Sequence, residues 1–180
     1  MKFKQTPQGI NYLYDYFPTR YEEHKGVSEA ILRFKDGDEA EIERFANEIK
    51  EALINKAEND LSVYENMCVV LVPSHMHGEW SHALRMVART ICVALPMLNY
   101  SSTLKRITNH AKLSRGGNRS IESHLKTIVK GPRDVKGKKI LLLDDVTTTG
   151  NSIKACAEIL KAAGAVDVEA VVIGRTIKEV

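Results

Sequence analysis

No stretch of this chain approaches the roughly 18 consecutive apolar residues of a membrane-spanning helix. Met1–Ile10 also lacks the apolar core of a secretory signal, so a reducing cytoplasmic setting is the default expectation. Cysteine is scarce. Cys68, Cys92 and Cys156 form no close-spaced pair, which argues against a zinc ribbon and against a disulfide framework. Acids are nearly missing from one region: Lys105, Arg106, Lys112, Arg115, Arg119, Lys126, Lys130, Arg133, Lys136, Lys138 and Lys139 face only Glu122 and Asp134. No aromatic residue interleaves those cations, which weighs against a reader of single-stranded nucleic acid. A basic stretch of this kind instead raises the local concentration of an anionic substrate.

What remains is ordinary globular material, 43% apolar and 27% charged, with a length that suits one domain needing no covalent staples. The most informative stretch is Lys139–Ser152. Ile140-Leu141-Leu142-Leu143 is a short continuous apolar run, the mark of a strand buried in a parallel sheet. The chain then turns polar through Asp144, Asp145, Val146, Thr147, Thr148, Thr149, Gly150, Asn151 and Ser152. A helical period follows, with Ile153, Cys156, Ile159, Leu160 and Ala163 on one face and Gly164 as its stop. Strand, polar turn and helix in that order put the polar chemistry at the strand's C-terminal end, where open α/β sheets bind ligands.

The two halves of that turn ask for different ligand groups. Thr147–Ser152 can wrap a phosphate in backbone N–H groups and hydroxyls at the start of a helix. Asp144 and Asp145 would repel the same phosphate, and suit sugar hydroxyls or, through water, a magnesium ion. A phosphorylated sugar satisfies both. A Walker phosphate loop is excluded, because no Gly-Lys-Ser/Thr follows the glycine.

The run Leu142–Ser152 resembles the phosphoribosyl-pyrophosphate (PRPP) loop of the type I phosphoribosyltransferases. The resemblance implies that Asp144 and Asp145 bind the ribose hydroxyls, and any metal only indirectly, while Thr147–Ser152 hold the 5-phosphate. A second apolar run, Met67–Val72, ends in Pro73-Ser74-His75-Met76-His77-Gly78, and a helix with Trp80, Ala83, Leu84, Val87, Ala88, Ile91, Cys92 and Leu95 on one face follows. In the family the corresponding loop receives the pyrophosphate, which makes Ser74 and His75 candidates. A polar, glycine-bearing stretch after a short strand at Thr103–Ile107 is similar to the family's flexible loop, with Lys105, Arg106, Lys112 and Arg115 as candidate cations for the leaving pyrophosphate. The segments Ile31–Asp38 and Arg115-Gly116-Gly117-Asn118 resemble the competence protein ComF branch, although that branch's four-cysteine zinc module is absent here.

The remaining chain reads as scaffold. Tyr12, Tyr14 and Tyr16 alternate as in a strand, and with Phe17 and Tyr21 they form an aromatic cluster that could pack under a hood or stack on a flat base; Val27–Lys35 reads as a short helix and Asp38–Ala57 as a longer one. Asp38 and Glu41 would form a capping box, with Ile42, Phe45, Ala46, Ile49 and Leu53 as the buried face. Val168–Gly174 is a last strand. The expectation is a single α/β domain over residues 1–180, a doubly wound parallel sheet in which about 1–65 form a helical hood and 66–180 the PRPP-binding core. The resemblance implies transfer of 5-phosphoribosyl from PRPP, with magnesium, to a nitrogen nucleophile, a nucleobase being the expected acceptor. Family members are often homodimers. The other class of reading is a PRPP- or nucleotide-sensing regulator, or a ComF-like interaction protein of DNA uptake.

Overall fold

A computed structural model describes residues 1–19, 25–108 and 120–177. Its centre is a six-stranded sheet built from β1 (Lys4–Gln5), β2 (Asn11–Tyr16), β3 (Cys68–Leu71), β4 (Leu98–Asn99), β7 (Lys139–Thr147) and β8 (Asp167–Thr176), in the order β1-β2-β8-β7-β3-β4. β1 is antiparallel to β2; every other pairing in this sheet is parallel. A separate antiparallel hairpin pairs β5 (Leu104–Arg106) with β6 (Ile128–Lys130).

The central strands are apolar throughout because both faces are covered. On one face Val69, Leu71, Leu141, Leu143, Val171 and Ile173 pack against α1 (Val27–Lys35), α2 (Glu39–Lys56) and α3 (His82–Ala94). On the other, Cys68, Val70, Ile140, Leu142 and Val172 meet α5 (Asn151–Ala162) through Ile153, Cys156 and Leu160, and the hairpin through Leu104 and Ile128. A fully buried side chain of this kind stabilises the fold by about 1.5–3 kcal/mol, so these alternating residues fix which face each helix covers.

The expected face of α2 is buried in full, and its start follows the expected cap: the Asp38 side chain accepts from the Glu41 backbone N–H at 3.1 Å. The reciprocal half of the capping box is replaced, because the Glu41 carboxylate is held by Arg33 and Arg44 and the Asp38 N–H donates to the Arg33 carbonyl. Residues 1–65, read from sequence as a hood, contain the expected helices and also put β1 and β2 into the sheet beside β8. The reason is the open edge of β8, whose backbone groups need a partner. Ile31, Phe34 and Phe45 accordingly share one cluster with Leu71, Leu143 and Val171. Tyr12 is buried and Tyr14 packs edge-on against Phe45, so both belong to the core rather than to a base-stacking platform; Tyr21 lies outside the described residues.

β3 and β7 are neighbours in register, Leu71 opposite Leu143, and the Val72 N–H still donates to the Leu143 carbonyl at 2.9 Å. Beyond that point the chains part. The helix after β3 packs on one face and the helix after β7 on the other. Diverging connections between adjacent parallel strands leave a crevice at their C-terminal ends.

Candidate active site

The crevice is a cavity of about 320 Å³ whose wall includes Lys35, Ser74, His75, Arg106, His124, Asp144, Asp145 and Ser152. A smaller one of about 110 Å³ adjoins it, lined by Val146, Thr147, Thr148, Thr149, Gly150 and Ser152, with His124 on both walls.

The two acids sit at the end of β7 and, as neighbours on a strand, belong to opposite faces. Asp145 shares parity with Leu141 and Leu143, on the side of α1, and its Oδ1 lies 3.2 Å from the Lys35 Nζ. The same oxygen accepts from the Val146 N–H at 2.5 Å. Asp144 shares parity with Ile140 and Leu142, on the side of α5 and the hairpin, and its Oδ1 accepts from the Asp145 N–H at 2.9 Å. Burial holds the Asp144 carboxyl well above the usual carboxylate range, and the Asp145 charge pushes the same way; Lys35 and Arg106 oppose both. Burial also lowers the affinity of Lys35 for its proton, yet Asp145, and more weakly Asp144, outweigh this and the ammonium's pKa is raised. Cys156, behind Asp144 on α5, is pushed far up by burial and then by the Asp144 charge, so it is an inert thiol.

The smaller cavity is built by a tight turn. β7 runs on through Thr147, and only Thr148, Thr149 and Gly150 separate it from α5. Gly150 sits at the helix N-cap with φ 75°, left-handed backbone that glycine adopts without strain. It offers no capping side chain, so the first-turn amides and the positive end of the helix face the cradle. A Cβ at Gly150 would meet Ile10 Cδ1 at 3.0 Å, which places the steric constraint on the side of β2. The Thr148 and Thr176 hydroxyls are bonded to each other at 2.9 Å, tying the turn to the end of β8.

The basic candidates separate. Lys105 and Arg106 are consecutive on β5, and β alternation sends them opposite ways. Lys105 is exposed and is not among the residues of the cavity wall. Arg106 is 3% exposed, its Nε donating to the Ser74 carbonyl and its Nη1 to the Thr127 Oγ1, each at 2.6 Å. It therefore fastens the loop after β3 to the hairpin, and the Gly78 N–H returns a bond to the Arg106 carbonyl at 3.0 Å. Trp80, expected on the helix, lies before it and donates from Nε1 to the Leu104 carbonyl at 2.8 Å, a second tie to the hairpin. Lys112, Arg115 and the Arg115–Asn118 segment lie outside the described residues.

Sequence reasoning missed Lys35 and His124. Lys35 reads as one more lysine at a helix C-terminus, a place lysines favour on any surface. His124 belongs to α4 (Ile121–Leu125), a short helix with no apolar stripe to announce it. Its place on both cavity walls follows from the hairpin's packing over α5.

Residues 100–178 match the family model described as the phosphoribosyl transferase domain. An orotate phosphoribosyltransferase from Saccharolobus solfataricus is 46% identical over 65 residues, 36% of this chain and 28% of the relative, so the chain spans well under a third of the curated relative it matches. Among solved structures, a variant hypoxanthine phosphoribosyltransferase from Trypanosoma cruzi, in complex with the product IMP, superposes with a TM-score of 0.47 at 10% identity, covering 78% of this chain and 74% of that one. The purine phosphoribosyltransferase from Pyrococcus horikoshii gives 0.38 at 14% identity, covering 92% and 95%. Lys35, Ser74 and His75 fall outside the matched stretch; Asp144 to Ser152, with every residue lining the smaller cavity, fall within the residues that match a phosphoribosyl transferase domain.

Proposed function

We propose that the chain is a phosphoribosyltransferase that binds PRPP with magnesium and transfers its 5-phosphoribosyl group to a nitrogen nucleophile, a nucleobase in the first instance, releasing pyrophosphate. One observation carries the reading: two carboxyls at the end of β7 line the larger cavity, and the next residue, Val146, also lines the adjoining hydroxyl-rich cradle. The cradle takes the 5-phosphate, through the Thr147–Ser152 hydroxyls and the first-turn amides of α5. Asp144 and Asp145 take the ribose hydroxyls, and Ser74 and His75 face the pyrophosphate end.

Two adjacent carboxylates without a third fit a magnesium ion that draws most of its oxygens from substrate and water. Among the described residues no group of three or more His, Cys, Asp or Glu side chains offers a complete protein cage. Held by the substrate and oriented by Asp144 and Asp145, magnesium would neutralise part of the leaving group's charge. The protein's own task is orientation. Binding energy from the remote 5-phosphate aligns C1, where the bond to pyrophosphate breaks and the bond to nitrogen forms. Exclusion of water protects the electron-poor sugar from hydrolysis.

The finer placement in the ComF branch rests on Ile31–Asp38, where α1 ends and α2 begins, and a cytoplasmic homodimer is the arrangement the resemblance favours. Pyrophosphate release from PRPP, measured across a panel of purine and pyrimidine bases, tests the reading. Turnover with one base supports it; tight PRPP binding with no turnover on any base would point to a sensor instead.

A further inference from the structure

We propose that Lys35 is an exchangeable counter-ion: it pairs with Asp145 while no ribose hydroxyl engages that carboxylate, and passes its charge to the pyrophosphate end of the ligand when one does. The inference rests on the PRPP reading above and deepens it, since the residue comes from the N-terminal part of the chain, outside the matched domain.

Three observations carry it. The Lys35 ammonium lies 3.2 Å from Asp145 Oδ1, on the same cavity wall as Ser74 and His75. Its side chain is 35% exposed, so it is not locked in place by packing. Arg106, the other lysine or arginine on that wall, has its guanidinium committed to the Ser74 carbonyl and the Thr127 hydroxyl, and Lys105 is exposed away from the cavity. Among the described residues this leaves Lys35 as the cation with a flexible stem and rotatable donors inside the site.

The chemistry requires such a charge to move. Asp144 and Asp145 crowd two carboxylates into a buried corner, and a lysine beside them offsets part of their repulsion. A ribose whose hydroxyls donate to Asp145 takes over the oxygen that Lys35 holds. The ammonium is then released inside the cavity that Ser74 and His75 also line, where the leaving group gains negative charge as the C1–O bond breaks. A lysine already in the pocket supplies that charge at little cost in new ordering.

The test separates the two halves of the ligand. Wild type, Lys35→Met and Lys35→Arg are titrated with PRPP–magnesium, inorganic pyrophosphate and ribose 5-phosphate, with melting temperatures as a check on folding. Exchange predicts that Lys35→Met loses about ten- to hundredfold in affinity for PRPP and pyrophosphate, the size of a charge-assisted contact. Ribose 5-phosphate affinity stays within about twofold or tightens, because its competitor at Asp145 is gone, and Lys35→Arg recovers most of the pyrophosphate loss. An equal loss with all three ligands overturns the proposal and leaves Lys35 as a fixed brace for Asp145. Unchanged pyrophosphate affinity also overturns it, while wild-type binding of PRPP and ribose 5-phosphate would leave the PRPP reading standing. Wild type that binds none of the three removes the PRPP reading and the exchange together.

Discussion

After β7 the chain turns through Thr148, Thr149 and Gly150 into a helix; after β3 it takes the longer path from Val72 to Ser81 before α3 begins. Both turns open on the same crevice, and they are held in different ways. The first is specified mainly by its own residues, a left-handed glycine, hydroxyls and a helix N-terminus, with one tie to β8 through Thr148 and Thr176. The second is fastened from a distance, by Arg106 on the Ser74 carbonyl and by Trp80 on the hairpin. A locally specified turn presents the same surface whatever lies opposite it. A turn braced by another element moves when that element moves, which on the proposed reading suits a loop that receives and then releases pyrophosphate.

The largest way to break this comparison is to remove the brace. Arg106→Ala deletes two hydrogen bonds from a charged, buried donor, each contributing about 1.5–3 kcal/mol. Urea unfolding should show a loss of about 3 kcal/mol or more, with Arg106→Lys between the two because one ammonium cannot reproduce the fork. Lys105→Ala, one residue away, should change stability by less than about 0.5 kcal/mol, as exposed substitutions do. Equal effects at 105 and 106 would show that the hairpin does not hold the loop through Arg106.

Next in size is the chemistry of the self-specified turn. On the PRPP reading, Asp144→Asn or Asp145→Asn removes a carboxyl partner of the ribose hydroxyls, and PRPP affinity by calorimetry should fall about ten- to hundredfold, the equivalent of about 1.5–3 kcal/mol. The circular dichroism of both variants should match wild type. Unchanged affinity in both would remove the ribose assignment.

The same contrast explains what the sequence made legible. The β7–α5 unit could be read because strand, acids, glycine and helix are contiguous, and that order alone places Asp144 to Ser152 at the C-terminal end of one strand. α1 and α2 could be read from their apolar period and the Asp38 cap. The site's other half depends on pairings between distant residues. β6 has three residues and no clear alternation, and it exists because β5 gives it a partner across the whole 107–127 segment. Lys35 and Asp145 are far apart in the chain and meet because β2 and α1 pack beside β8. Which of Lys105 and Arg106 turns inward could have been narrowed to one by strand alternation, but Leu104 facing the core is what selects Arg106.

A pH-dependent effect sharpens the view of the acid pair. The Asp144 carboxyl is raised by burial and by Asp145, so ionising it costs the folded protein more than the unfolded chain. Wild type should therefore lose stability as pH rises from the ordinary carboxylate value of about 3.9 up to the raised one, and level off above it. Asp144→Asn keeps the shape and cannot ionise, so its stability relative to wild type should improve steadily across that window. Denaturation of both proteins at several pH values measures it, and a difference that does not change with pH would show that Asp144 is not penalised in the fold.

The smallest effect compares the two turns directly, because each holds a glycine in left-handed backbone: Gly150 at φ 75° and Gly78 at φ 69°. An alanine at either position pays the same backbone strain, roughly 1–2 kcal/mol. The surroundings differ. A Cβ at Gly78 meets nothing within 4 Å, whereas one at Gly150 meets Ile10 Cδ1 at 3.0 Å. Gly150→Ala should therefore cost more than Gly78→Ala, by the cost of displacing one methyl group just before β2. Ile10→Val deletes that methyl and should recover the excess, giving a favourable coupling of about 0.5 kcal/mol or more in a double-mutant cycle. The same cycle run with Gly78→Ala should be additive. Phosphate binding adds the functional readout: since the new Cβ points at Ile10, Gly150→Ala in the Ile10→Val background should keep measurable ribose 5-phosphate affinity if the turn retains its left-handed backbone. Complete loss of binding in that double variant, with the fold intact, would mean that the cradle needs a closer approach of the ligand to Gly150 than the contact with Ile10 accounts for.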